Sequence, residues 1–159
     1  MDRKYVLALG LPLIALALGS LSMSAVPPQN QDPLIGTWNV SSPGQSPFIA
    51  VMTFNLGGTT VEYDTSGTNS SASPGETISL GKWRKTGNLT YKFGAENYIY
   101  DSSGNLSLIA VIDCGLSLAP TLNSYADACA LNFYQCSLSQ CPGPLFSGPV
   151  SVTATAVRF

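Results

Sequence analysis

Apolar and polar residues alternate along this chain with a period of two, most cleanly where Leu106, Leu108, Ala110, Ile112, Cys114, Leu116 and Leu118 share one face. That period is the mark of a half-buried β-strand. Short runs of this kind recur from Leu34 to the C-terminus, separated by Gly, Asn, Ser and Pro clusters, the pattern of an all-β barrel or sandwich. Eight strands are predicted, at about Leu34–Val40, Phe48–Phe54, Thr59–Asp64, Ser79–Lys85, Leu89–Tyr100, Leu106–Leu118, Tyr125–Gln135 and Val150–Phe159. Turns are expected at Ser41–Pro47, at Asn55-Leu56-Gly57-Gly58, where Asn and Gly accept positive φ, at Gly87-Asn88 and at Ser102-Ser103-Gly104-Asn105. Thr65–Gly75 is rich in Ser, Thr and Gly and reads as a mobile loop, and Cys136–Ser147 as an irregular one. Gly94 is a candidate kink or bulge in the fifth strand.

Eight strands with mostly short connections suit a single antiparallel up-and-down barrel, whose interior is filled by side chains or holds one small ligand. A β-sandwich with the same strand count is the alternative. If the barrel closes, the first and last strands pair antiparallel. The start of one then lies beside the end of the other, so Arg158 can cover the Trp38 ring in a cation–π contact. A turn at Pro120–Asn123 would pair residues whose numbers sum to about 243, setting Cys114 opposite Cys129, Ile112 opposite Leu131 and Ala110 opposite Phe133 on one face.

The N-terminus differs from all this. Arg3 and Lys4 precede an apolar run from Tyr5 to Leu18, then the small residues Ser20, Ser22, Ser24 and Ala25. This is the layout of a secretory signal peptide over residues 1–24, with cleavage between Ser24 and Ala25. An uncleaved anchor is the alternative, but the run is short for a bilayer span and is interrupted by Gly10 and Pro12. Residues 25–33 read as a Pro- and Gln-rich linker, and 34–159 as the barrel domain. The expected location is therefore secreted, periplasmic or cell-surface, with membrane contact only through an uncleaved signal segment.

Export changes the reading of the four cysteines, Cys114, Cys129, Cys136 and Cys141. An oxidising compartment favours two disulfides. Three pairings are open in principle. The register above selects Cys114–Cys129 and leaves Cys136–Cys141. Metal binding is disfavoured, since the chain has no histidine and the cysteine spacings do not form paired C-x-x-C knuckles. No cofactor is expected.

Charge excludes one partner class. Removing Asp2, Arg3 and Lys4 from seven basic and nine acidic residues leaves five against eight, net −3, with no basic patch for phosphates. Nucleic acid is therefore a poor partner. Lys82 and Arg84 fall on the opposite strand face from Lys85.

Candidate chemistry is sparse. Without histidine there is no Ser–His or Cys–His nucleophile. Serine–lysine chemistry would need a buried lysine, and Lys82, Lys85 and Lys92 lie where an outward face is easier. Glu62, Asp64, Glu96, Asp101 and Asp113 are the carboxylates considered for acid–base work. Asp64 and Asp101 suit turn capping, and Asp113, on the face opposite Cys114, is expected in solvent. Gly57-Gly58 is a turn, not a phosphate loop. The chain is thus not expected to be an enzyme. Of four Asn-x-Ser/Thr triplets, at Asn39, Asn69, Asn88 and Asn105, only Asn69 suits a glycan. Aromatic residues offer the better lead. Trp83, Tyr91, Phe93, Tyr98 and Tyr100, with Phe48, Phe54 and Phe133, would line the barrel or simply fill it. A lined cavity of about 300 Å³ or more would favour a small apolar ligand. A filled interior would favour a surface-interaction protein that meets a protein partner through the Cys-rich 114–144 region.

The chain resembles the calycin-like barrels, the group that holds lipocalins, fatty-acid-binding proteins and avidins. Gly36-x-Trp38 in the first strand and Arg158 in the last carry the resemblance. The phrases Leu34-Ile35-Gly36-Thr37-Trp38, Met52 to Thr59, Gly81 to Gly87 and Tyr100 to Leu106 are similar to those of small exported bacterial barrels called lipocalin-like. The resemblance covers most of Leu34–Phe159 and implies a barrel. It transfers no catalytic or ligand residue, and the four-cysteine segment Cys114–Pro144 departs from the pattern.

Overall fold

The computed structural model describes residues 31–42, 48–64 and 75–159. The signal segment, most of the linker, the Asn69 site and nearly all of the Ser/Thr-rich loop lie outside the described residues. Eight strands follow in chain order: β1 Gly36–Ser42, β2 Phe48–Phe54, β3 Thr59–Asp64, β4 Ser79–Lys85, β5 Thr90–Tyr100, β6 Leu106–Leu118, β7 Ser124–Gln135 and β8 Leu145–Arg158. Each pairs antiparallel with its sequence neighbour, and β8 returns to β1, so the sheet closes as a barrel. The sandwich alternative is thereby set aside, since closure removes the sheet edges a sandwich would leave.

Closure rests on the pair foreseen from the sequence. Trp38 and Arg158 are direct partners across β1 and β8, and the guanidinium lies 4.2 Å from the Trp38 ring centroid. Arg158 also donates to the Ile35 carbonyl at 3.1 Å, to Leu122 at 3.2 Å and to Pro33. Its planar fork thus ties three chain segments at one barrel end, here called the base. Leu122 is a non-glycine residue at φ 62°, a left-handed conformation held by the Arg158 bonds to its own carbonyl.

The base is packed solid. Trp38 meets Tyr125 edge-on at 5.1 Å, and Phe54 lies 5.7 Å from Phe93 and 6.2 Å from Trp83. Leu34 and Trp38 are wholly buried. Trp38 Nε1 donates to the Leu34 carbonyl, so burial leaves no orphan donor. Asp32 and Pro33, read as the end of the linker, belong to this plug. The Asp32 carboxylate accepts from the Leu34 N–H at 3.0 Å, the Tyr91 hydroxyl at 2.7 Å and Lys85 Nζ at 3.0 Å.

Between β6 and β7 the register is the expected one: Cys114↔Cys129, Ile112↔Leu131 and Ala110↔Phe133. Both disulfides form, Cys114–Cys129 and Cys136–Cys141.

Two expectations need correction. Gly94 does not kink β5, which pairs with β6 without interruption from Thr90 to Ile99; the register shift falls between Ile99 and Tyr100. The close approach of β4 and β5 depends on Gly81, whose Cβ would sit 2.1 Å from the Gly94 carbonyl oxygen. β8 begins at Leu145, not Val150. Gly148 and Pro149 read as a break, but irregular pairing opposite Leu131–Tyr134 absorbs them, and a proline is tolerated at such a bulge.

Candidate functional site

The end opposite the base, the mouth, is built differently. Its shape begins in β3. The Asn55–Gly58 turn closes with Gly57 at φ 97° and Gly58 at φ 85°, conformations that favour glycine. It sets Phe54 against Thr60, Met52 against Glu62 and Ala50 against Asp64. Directly opposed residues share a face, and the buried faces of β1 and β2 point Phe54, Met52 and Ala50 inward. β3 must therefore turn Thr60, Glu62 and Asp64 inward and send Val61 and Tyr63 outward. The apolar pattern of β3 taken alone predicts the reverse. Tyr63 is accordingly 59% exposed, and Glu62 only 8%.

The second inward carboxylate comes from β7. Tyr125, Asp127, Cys129, Leu131 and Phe133 alternate with outward residues, and the register of Cys114↔Cys129 fixes their face. Asp127 is 8% exposed. It accepts the Ala154 N–H of β8 at 3.1 Å, one residue beyond the last β1–β8 pair, Ser41↔Thr155.

Between these strands lies a cavity of about 240 Å³. Its wall is mostly apolar: Val40, Phe48, Met52, Phe93, Ile112, Leu131, Phe133, Val150, Val152 and Ala154, with the Cys114–Cys129 disulfide. Glu62, Asp64 and Asp127 supply its polar groups, and among the described residues no Lys or Arg lines it. Met52 also accepts the Tyr125 hydroxyl at 3.6 Å, which joins the cavity wall to the packed base.

Burial governs the electrostatics here. Desolvation, reinforced by the neighbouring charges of Asp64, Asp127 and Glu76, pushes the Glu62 carboxyl up to about 8. Desolvation also raises Asp127, to about 6, against the pull of its bond from Ala154. At neutral pH, Glu62 is therefore mostly protonated and Asp127 mostly ionised. Tyr125, beneath them, is raised by burial and then by both carboxylates. The base behaves oppositely. Burial would raise Asp32, yet the Leu34 N–H, the Tyr91 hydroxyl and Lys85 hold it below its ordinary value.

No known family, curated protein or solved structure matches this chain.

The expected aromatic lining is only partly assembled. Phe93 reaches the cavity. Trp83 and Tyr91 pack against each other at 5.9 Å in the base, and Trp83 Nε1 donates to the Asn55 carbonyl. Tyr98 corrects the expected lining, since unbroken alternation through Gly94 turns it outward, 41% exposed. Tyr100 follows the register shift, is half-buried and does not line the cavity. Among the other carboxylates, Asp113 and Glu96 are exposed on the outer face. Asp101 caps its turn by accepting the Ser103 and Asn105 N–H groups, each at 2.9 Å.

Sequence reasoning missed Asp127. The signal was present, since Asp127 stands two residues before Cys129, whose inward face the disulfide register had already set.

Proposed function

We propose that this chain is an exported, lipocalin-like barrel that holds one small molecule in its mouth. The observation that carries the reading is the contrast between the two ends of one interior. The base is filled with interlocked aromatic rings, whereas the mouth keeps a cavity of about 240 Å³ with an apolar wall. An apolar pocket with a few placed polar groups is the usual form of a small-ligand site. At 240 Å³ it lies below the range of roughly 300–1,000 Å³ for drug-sized pockets. The volume thus falls short of the roughly 300 Å³ set as favouring a ligand, and the reading rests on the contrast between the two ends, with an occupant smaller than drug-sized. The two disulfides support an oxidising, extracytoplasmic location.

Native mass spectrometry of the protein exported through an oxidising compartment tests this. An additional mass that leaves on denaturation is the expected result. Val152→Phe, which fills the cavity from its wall, should abolish the added mass while the chain stays folded. A bare wild-type chain that also takes up no small apolar probe overturns the reading.

A second reading has its own observation. Leu138 is 99% exposed, and Leu145, Phe146 and Val150 are exposed on β8 beyond its pairing with β1. This Cys136–Val150 excursion is the surface a protein partner would meet, and a partner lost on its replacement would favour the interaction role.

A further inference from the structure

The mouth cavity has a mismatch that its apolar wall does not explain. Glu62 is more than nine-tenths buried and lines the cavity, yet no hydrogen bond reaches its carboxyl among the described residues. Its oxygens keep some contact with the cavity, but a carboxyl shielded from most of the solvent and without partners is costly to ionise. Among the described residues, no strand around it supplies a counter-charge. Its β2 partner is Met52 and its β4 partner Ser79. The titratable groups that face it are Asp64 on β3, Glu76 before β4, and Tyr125 and Asp127 on β7, all acids. Lys82, Arg84, Lys85 and Lys92 are exposed, and Arg158 is engaged at the base. The arrangement asks for a cation from outside.

A metal ion does not answer it. Among the described residues no three Asp, Glu or Cys side chains converge closely enough to hold one. Anionic ligands such as fatty acids would meet three carboxyls and no base. A neutral apolar molecule would leave Glu62 unpartnered.

We propose that the cavity takes a small organic cation with an apolar body, an alkyl or aryl amine, whose ammonium group is held between Glu62 and Asp127. Three N–H donors suit two carboxylates, and charge-assisted bonds are the strong ones. The hydrocarbon body then lies against Phe93, Ile112 and Phe133. This rests on the binding role proposed above and narrows its ligand class. Binding is linked to protons. Glu62 is mostly protonated in the empty cavity at pH 7 and gives up its proton to solvent when the ammonium arrives.

Isothermal titration calorimetry of the intact, disulfide-bonded protein with n-hexylamine, 1-hexanol and hexanoate tests this. At pH 8.5 hexylamine should bind at least about tenfold more tightly than hexanol, as expected for charge-assisted bonds to two carboxyls in a largely buried site. Hexanoate should bind least. At pH 5, with both carboxyls protonated, the amine should lose that advantage. At pH 7 the amine's enthalpy should vary with the buffer's ionisation enthalpy, which reports proton release. Glu62→Gln, which keeps the side-chain shape, should abolish proton release and weaken amine binding by a larger factor than it changes hexanol binding. Asp127→Asn should weaken the amine by a larger factor than it changes hexanol binding. Hexanol binding as tightly as hexylamine at pH 8.5 overturns the cation assignment and leaves the apolar site standing. If none of the three binds, both readings fall together.

Discussion

Glu62 makes the stability of this protein run against the usual direction. Its carboxyl stands at about 8 in the folded barrel against an ordinary value near 4.5, and Asp127 at about 6 against 3.8. The folded state therefore binds more protons than the unfolded chain across this range. Where that holds, stability falls as pH rises, by up to about 1.4 kcal/mol per pH unit for each proton involved. The contribution is full below about pH 4 and is lost as pH rises through about 8; only above that is Glu62 ionised in both states. Asp32 has the opposite sign, but its window lies below its ordinary value of 3.8. Urea unfolding midpoints measured from pH 5 to pH 8 should thus decline for the wild type. Glu62→Gln should flatten most of that decline, and an equal slope in the variant would show that Glu62 is not the source. None of this was legible from residue type. Glu62 was a candidate carboxylate, but its burial follows from the β2–β3 register, and the apolar pair Val61 and Tyr63 pointed the other way.

At the scale of elements, strands were legible where their own alternation agreed with their neighbours'. β6 is the clearest case, because its apolar face, its cysteine and its partner β7 all demand one register. β3 is the opposite case. A six-residue strand with two apolar and two acidic positions cannot outvote the strand it pairs with. Local preference and tertiary context conflict there, and such conflicts concentrate at functional sites. The β8 boundary differs from the expected Val150 because irregular pairing with β7 carries the strand through Gly148-Pro149 to Leu145. The β4–β5 pair shows a third kind of information, close approach. Gly81 faces the Gly94 carbonyl and Ala95 with no room for a methyl group. Gly81→Ala should destabilise the barrel by about 1–3 kcal/mol, the usual cost of forced overpacking, as read by chemical denaturation. A midpoint unchanged within error would mean that the two strands separate easily.

Across the whole molecule, stability and the cavity sit at different ends. The base carries the ring cluster, the Arg158 fork and the Asp32 bonds to Tyr91 and Lys85. Trp38→Ala should cost about 3–5 kcal/mol, as for other buried aromatic truncations. The thermal midpoint checks this, and little change would show that the ring is not the keystone of the base. The barrel and its closure were readable from Gly36-x-Trp38 and Arg158 because those residues bond the chain to itself. The mouth was not, because its character depends on which side chains the closed sheet happens to bring face to face.

The Arg158 closure has a kinetic consequence. A barrel sealed at one end can exchange a guest only through the other, so arrival and departure share a single barrier. The 101–105 turn and the 136–144 connection join strands at that open end. A change there that narrows the opening without touching the guest slows uptake and release by the same factor, and the equilibrium constant stays where it was. For the small-molecule guest proposed above, residence time would thus be set by the rim and affinity by the cavity itself.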